Sequence, residues 1–417
     1  MASFPSEVAQ NIVLLSVDDL YCKEREERSR LKGRLARINK QWWNVVYGTG
    51  ELWDSLFVHS RMSMRHLKHI CERAEETDRR LSLHISTEDE EEFGAEDLRG
   101  LDTVHAVGSW SLRAGAFLAT VVLEARSVRI NSMNPHCVFL ILQNTGMQQA
   151  LQIDDLRCYV TLPTANDFNY LQPMVSQRLE TLCLSRVNLR RLPTIQMQTI
   201  TTLRLFYLLD QLDWIDFRAI LLAFVALQEL ELADISCGGD LGTAPLTLLT
   251  VRELSLDLSG FGGLELANIL DVPNIEKLTV RGEFDAPWKH FVVAFRGTLR
   301  LVKRCALCAE AYTQDLANLL HELRAVEIVD IRTSTSDFLR DLARGPINPP
   351  RNMRRLREWI VPSDVFYSQI RNLFDWPDCQ VEVIYEETED DEQFEGMVLK
   401  WVRLNNGFSV DLVHANP

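Results

Sequence analysis

The feature that most constrains the fold is a six-residue pattern, apolar-x-x-Leu-x-apolar, that recurs between residues 179 and 280. The clearest copies end on these pairs of apolar residues: Leu182 and Leu184, Leu203 and Leu205, Leu230 and Leu232, Leu254 and Leu256, and Leu278 and Val280. Two residues that are two positions apart in a strand point to the same face. Each copy therefore predicts a β-strand with one buried face.

The leucines at the fourth position of successive copies, from Leu182 to Leu278, are about 21 to 27 residues apart. This spacing is within the range of leucine-rich repeats. A sixth copy is expected at Leu323, Val326 and Ile328, and a degenerate unit near Leu299 to Val302. Weaker copies are expected at Ala125, Val128 and Ile130, at Leu151 and Ile153, at Leu81 and Leu83, and at Met353 and Leu356.

Between the predicted strands lie apolar stretches with helical character. They are residues 214–226, 288–295, 313–323 and 337–343. A single strand–helix unit cannot bury its apolar surface alone, but stacked units can. The sequence thus predicts an α/β fold, an irregular leucine-rich-repeat solenoid with a parallel sheet. The alternative is that the copies are ordinary strands of a mixed α/β domain.

Alternation along the strands predicts which side chains face outward. The candidate substrate face consists of Arg204, Phe206, Glu229, Glu231, Glu253, Asp257, Lys277 and Arg281. Less distinctive outward positions are Thr181, Cys183, Thr202, Ser255 and Thr279. The middle of this face is acidic, so it could take a basic segment of a partner. The alternative is an ordinary solvated face.

The first sixty residues have a different, helical pattern. Pro5 suits the first turn of a helix, and Glu7 is favourable near its positive end. A long second helix is expected from about Lys23 to Tyr47, because apolar residues recur there at steps of three and four. The stretch Gly48-Thr49-Gly50 is expected to end it.

Within these residues, three segments carry a family resemblance. They are Phe4-Pro5-Ser6-Glu7-Val8 with Ile12, then Ile38-Asn39-Lys40-Gln41-Trp42, then Leu52-Trp53. Their order and spacing resemble an F-box, although Phe4 replaces the usual Leu, Asn39 replaces a small or Cys residue, and a charged insert spans residues 22–30. The stretch from Met64 to Leu83 resembles the linker that follows the F-box in many fungal proteins. Taken together, the chain resembles fungal F-box proteins with a divergent leucine-rich-repeat domain.

The resemblance implies a function. F-box modules dock onto the Skp-family linker subunit of an SCF-type cullin–RING ubiquitin ligase, and the repeats hold a protein substrate. Carried over position by position, the docking residues would be Phe4, Pro5, Val8, Ile12, Ile38, Trp42 and Trp53. The alternative for the tryptophans is that they only pack the module against the first repeat.

Three domains are expected. Residues 1–60 form the F-box-like helical module, residues 61–385 the irregular solenoid with its clearest repeats at 179–330, and residues 386–417 an acidic loop and C-terminal segment. Acidic runs at 88–92 and 386–392 are expected to be solvated loops.

Charge and composition narrow the partners. The formal net charge of −15 argues against general nucleic-acid binding, which needs clustered Lys and Arg. No apolar run approaches the length of a membrane-spanning helix, and residues 1–7 do not resemble a signal peptide. The nine scattered cysteines are typical of reduced thiols in a cytoplasmic or nuclear protein.

The sequence contains none of the common catalytic motifs. A lone Cys305-x-x-Cys308 lacks further zinc ligands at suitable spacing, and His66, His69 and Cys71 are more often surface and core residues than a metal site. We therefore expect no catalytic residue, no metal and no cofactor. The leading expectation is a non-enzymatic substrate adaptor; the alternatives are a leucine-rich-repeat scaffold without a ligase, and an enzyme with an unrecognised site.

Overall fold

The computed structural model describes residues 10, 25–49, 52, 55–59, 63–75, 82–86, 117, 125, 127–132, 154–160, 179–185, 198–239, 245–259, 262–283, 286–310, 313–331, 334, 355–362, 380–384, 397–404 and 407–414. The chain divides into two compact units, Met1–Ile200 and Thr201–Pro417. The boundaries expected from sequence motifs, at 60/61 and 385/386, stay predictions.

The first unit begins with helices and continues as a parallel sheet. Its described elements are α1 (Arg25–Ala36), α2 (Lys40–Gly48), β1 (Ser55–His59), α3 (Met64–Glu75), β2 (Ser82–Ser86), β3 (Ser127–Ser132), β4 (Asp155–Val160) and β5 (Thr181–Ser185). Neighbouring strands from β1 to β5 pair in parallel. The sheet thus starts at Ser55, inside the range expected for the helical module.

The single long helix expected from Lys23 to Tyr47 is wrong: α1 and α2 are separate. The amide N–H of Arg37 and that of Ile38 donate to carbonyls three residues back, which tightens the end of α1. Asn39 then caps α2, because its side-chain oxygen accepts from the backbone N–H of Trp42 at 3.0 Å. The predicted stop after Gly48 is confirmed, and the Thr49 hydroxyl donates to the Val45 carbonyl at 2.7 Å.

The second unit alternates strands with short helices. Its described elements are β6 (Thr202–Asp213), α4 (Trp214–Ala223), β7 (Glu229–Gly238), β8 (Leu246–Thr247), β9 (Glu253–Asp257), α5 (Gly263–Ile269), β10 (Leu270–Asp271), β11 (Lys277–Gly282), α6 (Trp288–Ala294), α7 (Arg296–Leu299), β12 (Arg304–Ala309), α8 (Gln314–Glu322), β13 (Ile328–Asp330), β14 (Glu358–Pro362), β15 (Gln380–Ile384), β16 (Met397–Leu404) and β17 (Gly407–His414).

Ten of these strands form one sheet in the order β6-β7-β9-β11-β12-β13-β14-β15-β16-β17. All pairs from β6 to β15 are parallel, whereas β15, β16 and β17 pair antiparallel. The short strands β8 and β10 form a separate parallel pair. The predicted α/β class with a parallel sheet is confirmed.

The register aligns the apolar residues into buried rows. Leu203, Leu230, Leu254 and Leu278 are successive partners, and so are the residues two positions later in each strand. All of them are almost fully buried. Complete burial of one leucine side chain contributes about 2 kcal/mol relative to exposure, so each row is a major source of stability.

Helices supply the other half of the core. Trp288, Phe291 and Phe295 are buried, and the two phenylalanine rings stack with centroids 4.7 Å apart. Predicted helices at 214–226, 288–295 and 313–323 correspond to α4, α6 and α8. The expected helix at 337–343 lies outside the described residues.

The sixth copy was expected in the wrong position. The inward residues of β13 are not Val326 and Ile328, because Val329 pairs with Cys305 and leads to buried Ile331. The pattern there is displaced by three residues, since Val326 is the buried residue that precedes the strand.

The degenerate unit expected near Leu299 to Val302 is present, with buried Val302 followed by inward Cys305 and Leu307. The weak copy near Leu151 and Ile153 is displaced. In β4 the buried partner of Val128 is Leu156 rather than Ile153.

The remaining weak copies have mixed outcomes. Strands are confirmed at Leu83 and at Val128, and both residues are buried. Leu356 is buried but precedes β14. Leu81, Leu151, Ile153 and Met353 lie outside the described residues.

One turn requires glycine. Gly262, just before α5, has φ +82°, and a Cβ there would overlap the carbonyl oxygen of Ile235. Only a residue without a side chain fits this close approach in a left-handed conformation. The turn therefore fixes how α5 returns onto the sheet.

Across the described residues, none of the helices is both long and apolar enough to cross a membrane.

Candidate protein-binding surfaces

Parallel register brings the outward residues of β6, β7, β9 and β11 together. We call strand face the set of polar residues that lines a depression of about 230 Å³ on these strands: Arg204, Glu229, Glu231, Glu253, Ser255, Lys277, Thr279 and Arg281. The depression also reaches the buried Leu230 and Leu254. Six of the eight residues predicted for the substrate face belong to this set.

The other two predicted residues lie elsewhere. Phe206 is half-buried in β6, one residue before Tyr207, whose φ is 56°. The Asp257 side chain accepts a hydrogen bond from the backbone N–H of Ser259 at 2.9 Å, which closes the end of β9. Cys183, expected to face outward, is buried instead.

Four of the six charged side chains of the strand face form two cross-strand ion pairs. Arg204 Nε lies 3.4 Å from Glu231 Oε2, and Lys277 Nζ lies 2.6 Å from Glu253 Oε2. In each pair the two residues are on neighbouring strands, where opposite charges stabilise the sheet modestly. The acidic residues Glu231 and Glu253 are therefore already neutralised.

Glu229 and Arg281 are different. Within the part of the chain that the structure describes, neither side chain forms an ion pair or a side-chain hydrogen bond. Glu229 is half-buried and Arg281 is exposed. The strand face thus presents one unpaired negative and one unpaired positive charge, rather than the acidic surface expected from sequence.

Ser255 and Thr279 add two hydroxyl groups between these charges. They pair with each other across β9 and β11, and Ser255 is also the register partner of Glu231. The sequence placed both residues outward, but neither is charged or aromatic, so neither was selected for the candidate substrate face. Only the register shows that they lie in the middle of the depression.

A second charged cluster lies one residue before the strands. Glu276 accepts from Lys303 Nζ at 2.8 Å and is 3.7 Å from Arg252 Nη1. The hydrogen bond from Lys303 is the main reason that the pKa of Glu276 is below its usual range, and the charges of Lys303 and Arg252 act in the same direction.

Glu322 of α8 forms the third cluster, together with two arginines. Its two carboxylate oxygens accept from Arg296 Nε at 2.7 Å and from Arg300 Nε at 3.1 Å. Burial raises the pKa of Glu322, but the two hydrogen bonds and charges outweigh it, so the pKa is lower than usual. This cluster joins the α7 region to α8 and was not predicted, because Glu322 is separated from both arginines by more than twenty residues.

Cys305 and Cys308 do not share a face. Cys305 is buried among the inward residues of β12, whereas Cys308 points to the opposite side. Burial, followed by the charge of Asp330, raises the pKa of Cys305 far above its usual value. A neutral, buried thiol is a poor nucleophile and a poor metal ligand. Among the described residues there is no group of three His, Cys, Asp or Glu that could hold a metal ion.

The helical region retains an exposed apolar surface. Ile38, between α1 and α2, is 57% exposed, and Trp42 in the first turn of α2 is half-buried. Phe4, Pro5, Val8, Ile12 and Trp53, also predicted for docking, lie outside the described residues.

Trp43 was not predicted, yet it is 40% exposed. Its ring lies 4.6 Å from that of Tyr47, which lies 5.3 Å from the ring of His69 on α3. We call docking surface the residues Ile38, Trp42 and Trp43. The helical stripe predicted Trp42, whereas the neighbouring Trp43 is the more exposed of the two tryptophans.

The base of this region is held by a buried lysine. Lys32 of α1 donates from Nζ to the carbonyl of Leu52 at 2.7 Å, and Leu52 itself is buried. Leu52, the first residue of the Leu-Trp pair that contributes to the resemblance, is therefore internal and does not belong to the docking surface.

No protein-family model matches this sequence, and no curated protein matches it either.

Proposed function

We propose that this chain is a substrate-recognition adaptor of an SCF-type cullin–RING ubiquitin ligase. In this proposal the F-box-like residues 1–60 dock onto the Skp-family linker subunit, the remaining strands form an irregular leucine-rich-repeat solenoid, and the strand face binds a protein substrate. The chain itself performs no catalysis.

The observation that carries the proposal is the pairing of two features in one chain. The docking surface exposes Ile38 and Trp43 on a small helical region, and large exposed apolar residues are typical of protein interfaces. The strand face presents polar side chains from strands that recur 24 to 27 residues apart in strict register. This periodicity supports a repeat architecture, and repeat architectures commonly serve as extended binding surfaces.

The test is a binding experiment with purified full-length chain and a purified Skp-family linker subunit. We expect a stable one-to-one complex, and we expect Phe4→Ala combined with Trp42→Ala to abolish it. Ile38→Ala is expected to weaken the complex at least tenfold. Ile38 is exposed in the free chain and would become buried at the centre of the interface, and alanine removes most of that buried apolar surface.

Ile215→Ala is the matched control, because Ile215 is 69% exposed on α4 of the other unit. It should bind like the unchanged chain. A chain that folds but does not bind the linker subunit contradicts the adaptor role. That result favours the alternative, a repeat scaffold that has no association with a ligase.

A further inference from the structure

Glu229 and Arg281 occupy opposite corners of the strand face. Glu229 is in register with Glu253 and Lys277, and Arg281 follows Lys277 by four residues on β11. With strands about 4.8 Å apart and about 3.3 Å per residue, their Cα atoms are about 16 Å apart along a diagonal.

Ser255 lies at the midpoint of this diagonal. It is on β9, between β7 and β11, and two residues beyond Glu253. A serine leaves room for a chain to cross and offers a hydroxyl to its main-chain groups. The two ion pairs flank the diagonal, Arg204 with Glu231 on one side and Lys277 with Glu253 on the other.

We propose that the strand face binds an extended peptide segment that carries a basic side chain for Glu229 and an acidic side chain for Arg281. An extended chain advances about 3.3 Å per residue, so 16 Å corresponds to between four and five positions. Since alternate side chains point to the same face, the two charged residues are best placed about four positions apart. Unpaired charges are the ones that select a partner, because paired ones must first be separated from each other. The inference rests on the proposed role of the strand face in substrate capture.

The segment must carry both charges. A purely basic peptide satisfies Glu229 but places a like charge near Arg281, and a purely acidic peptide does the reverse. Like-charge approach is unfavourable and rejects wrong partners. The chemistry recognised is therefore a bipolar peptide, not a polycation or a phosphorylated segment.

The test uses the full-length chain and fluorescein-labelled peptides, followed by fluorescence polarisation at low ionic strength. Each peptide has one lysine and one glutamate separated by one, three or nine alanine and serine residues, in both orders, so that both charges can point to one face of an extended chain. We expect the tightest binding with three intervening residues. Glu229→Gln and Arg281→Gln should each weaken it about fivefold.

Glu265→Gln on α5 and Arg324→Gln after α8 are matched controls of the same chemistry away from the strand face, and they should change nothing. Exchange of the two charges, Glu229→Arg with Arg281→Glu, should reverse the preferred order of lysine and glutamate. A normal unfolding curve for the double variant shows that it is folded, so a reversed preference is then a direct result of the exchanged charges.

Three results would overturn the inference. They are no saturable binding up to about 1 mM, equal binding at all three spacings, or equal binding of an all-lysine peptide. The assay contains no linker subunit, so failure here with intact linker binding refutes the peptide and leaves the adaptor role. Peptide binding without linker binding refutes the adaptor role and leaves the peptide-binding inference.

Discussion

Lys277 Nζ lies 2.6 Å from Glu253 Oε2, and the two residues are direct register partners on β11 and β9. On its other side Glu253 is the register partner of Glu229, a second carboxylate. Lys277 therefore offsets the repulsion of two like charges that face each other across neighbouring strands.

Lys277→Gln should lower the free energy of unfolding by less than about 1 kcal/mol at low salt, since both partners are substantially exposed. The loss should shrink at high salt, because screening weakens the remaining repulsion. Urea unfolding at two salt concentrations measures it. Lys289→Gln, an exposed lysine on α6, should show no salt-dependent loss. An equal loss at both salt concentrations contradicts the electrostatic explanation.

Glu322→Gln should destabilise the chain by about 2 kcal/mol at neutral pH, because two charge-assisted hydrogen bonds are weakened. The folded-state pKa of Glu322 is lower than the usual value of 4.5. Its contribution is therefore complete above the unfolded pKa and is lost as pH falls through the folded pKa.

Urea unfolding curves of Glu322→Gln and the unchanged chain should accordingly differ at pH 7 and approach each other as the pH falls below 4.5 and through the lower folded-state pKa. Glu283→Gln, at an exposed carboxylate after β11, provides the comparison and should not show this convergence. A difference that persists unchanged in acid would mean that packing, not charge, holds Glu322 in place.

Gly262→Ala should destabilise the second unit by about 2 kcal/mol or more, since a Cβ would overlap the Ile235 carbonyl oxygen in a left-handed backbone. Gly297→Ala is the matched substitution, because Gly297 is helical and a Cβ added there would meet no atom within 4 Å. It should be neutral or stabilise by up to about 1 kcal/mol. Thermal unfolding of both variants tests the pair, and similar midpoints would refute the argument.

Asn39→Ala should lower the stability of the helical region by about 1 kcal/mol, because α2 loses its side-chain cap. Asn39→Asp keeps an acceptor oxygen and should retain most of the stability. Hydrogen exchange at the amide of Trp42 reports the effect directly. Protection that is the same in all three chains would show that the cap does not stabilise α2.

Sequence alone predicted the strands well where the buried rows are leucines. Leu203 to Leu278 repeat one residue type in one spacing, and the hydrophobic effect leaves few other arrangements for such a pattern. It failed where other residues fill the same row. Cys305 acts as a small apolar side chain in the core. In a sequence, however, a cysteine first suggests a reactive thiol or a metal ligand.

Displaced copies have a related cause. Val326 and Ile328 fit the spacing, but Val329 and Ile331 fit it as well three residues later. Only pairing with β12 decides between the two alternatives. Tyr207 and Asp234 illustrate another limit, because both have positive φ values, which are uncommon outside glycine and cannot be predicted from the repeat pattern.

The sequence predicted most residues of the strand face but not how their charges cancel. Alternation identified outward residues such as Glu229 and Glu253, while the cancellation of charge depends on which neighbour each one meets. That information comes from register across two loops of different length, which a single sequence does not contain.

Register also bears on how the sheet can change in length. Glu253 and Lys277 are equivalent positions 24 residues apart, so excision of residues 253–276 would bring Lys277 beside Glu229 and Leu278 beside Leu230. The buried leucines of the remaining strands would stay aligned, and the chain would lose one complete repeat. Such a sheet can be shortened by deletion, or extended by duplication, of complete units, whereas removal of a single residue within a strand would turn its buried face outward.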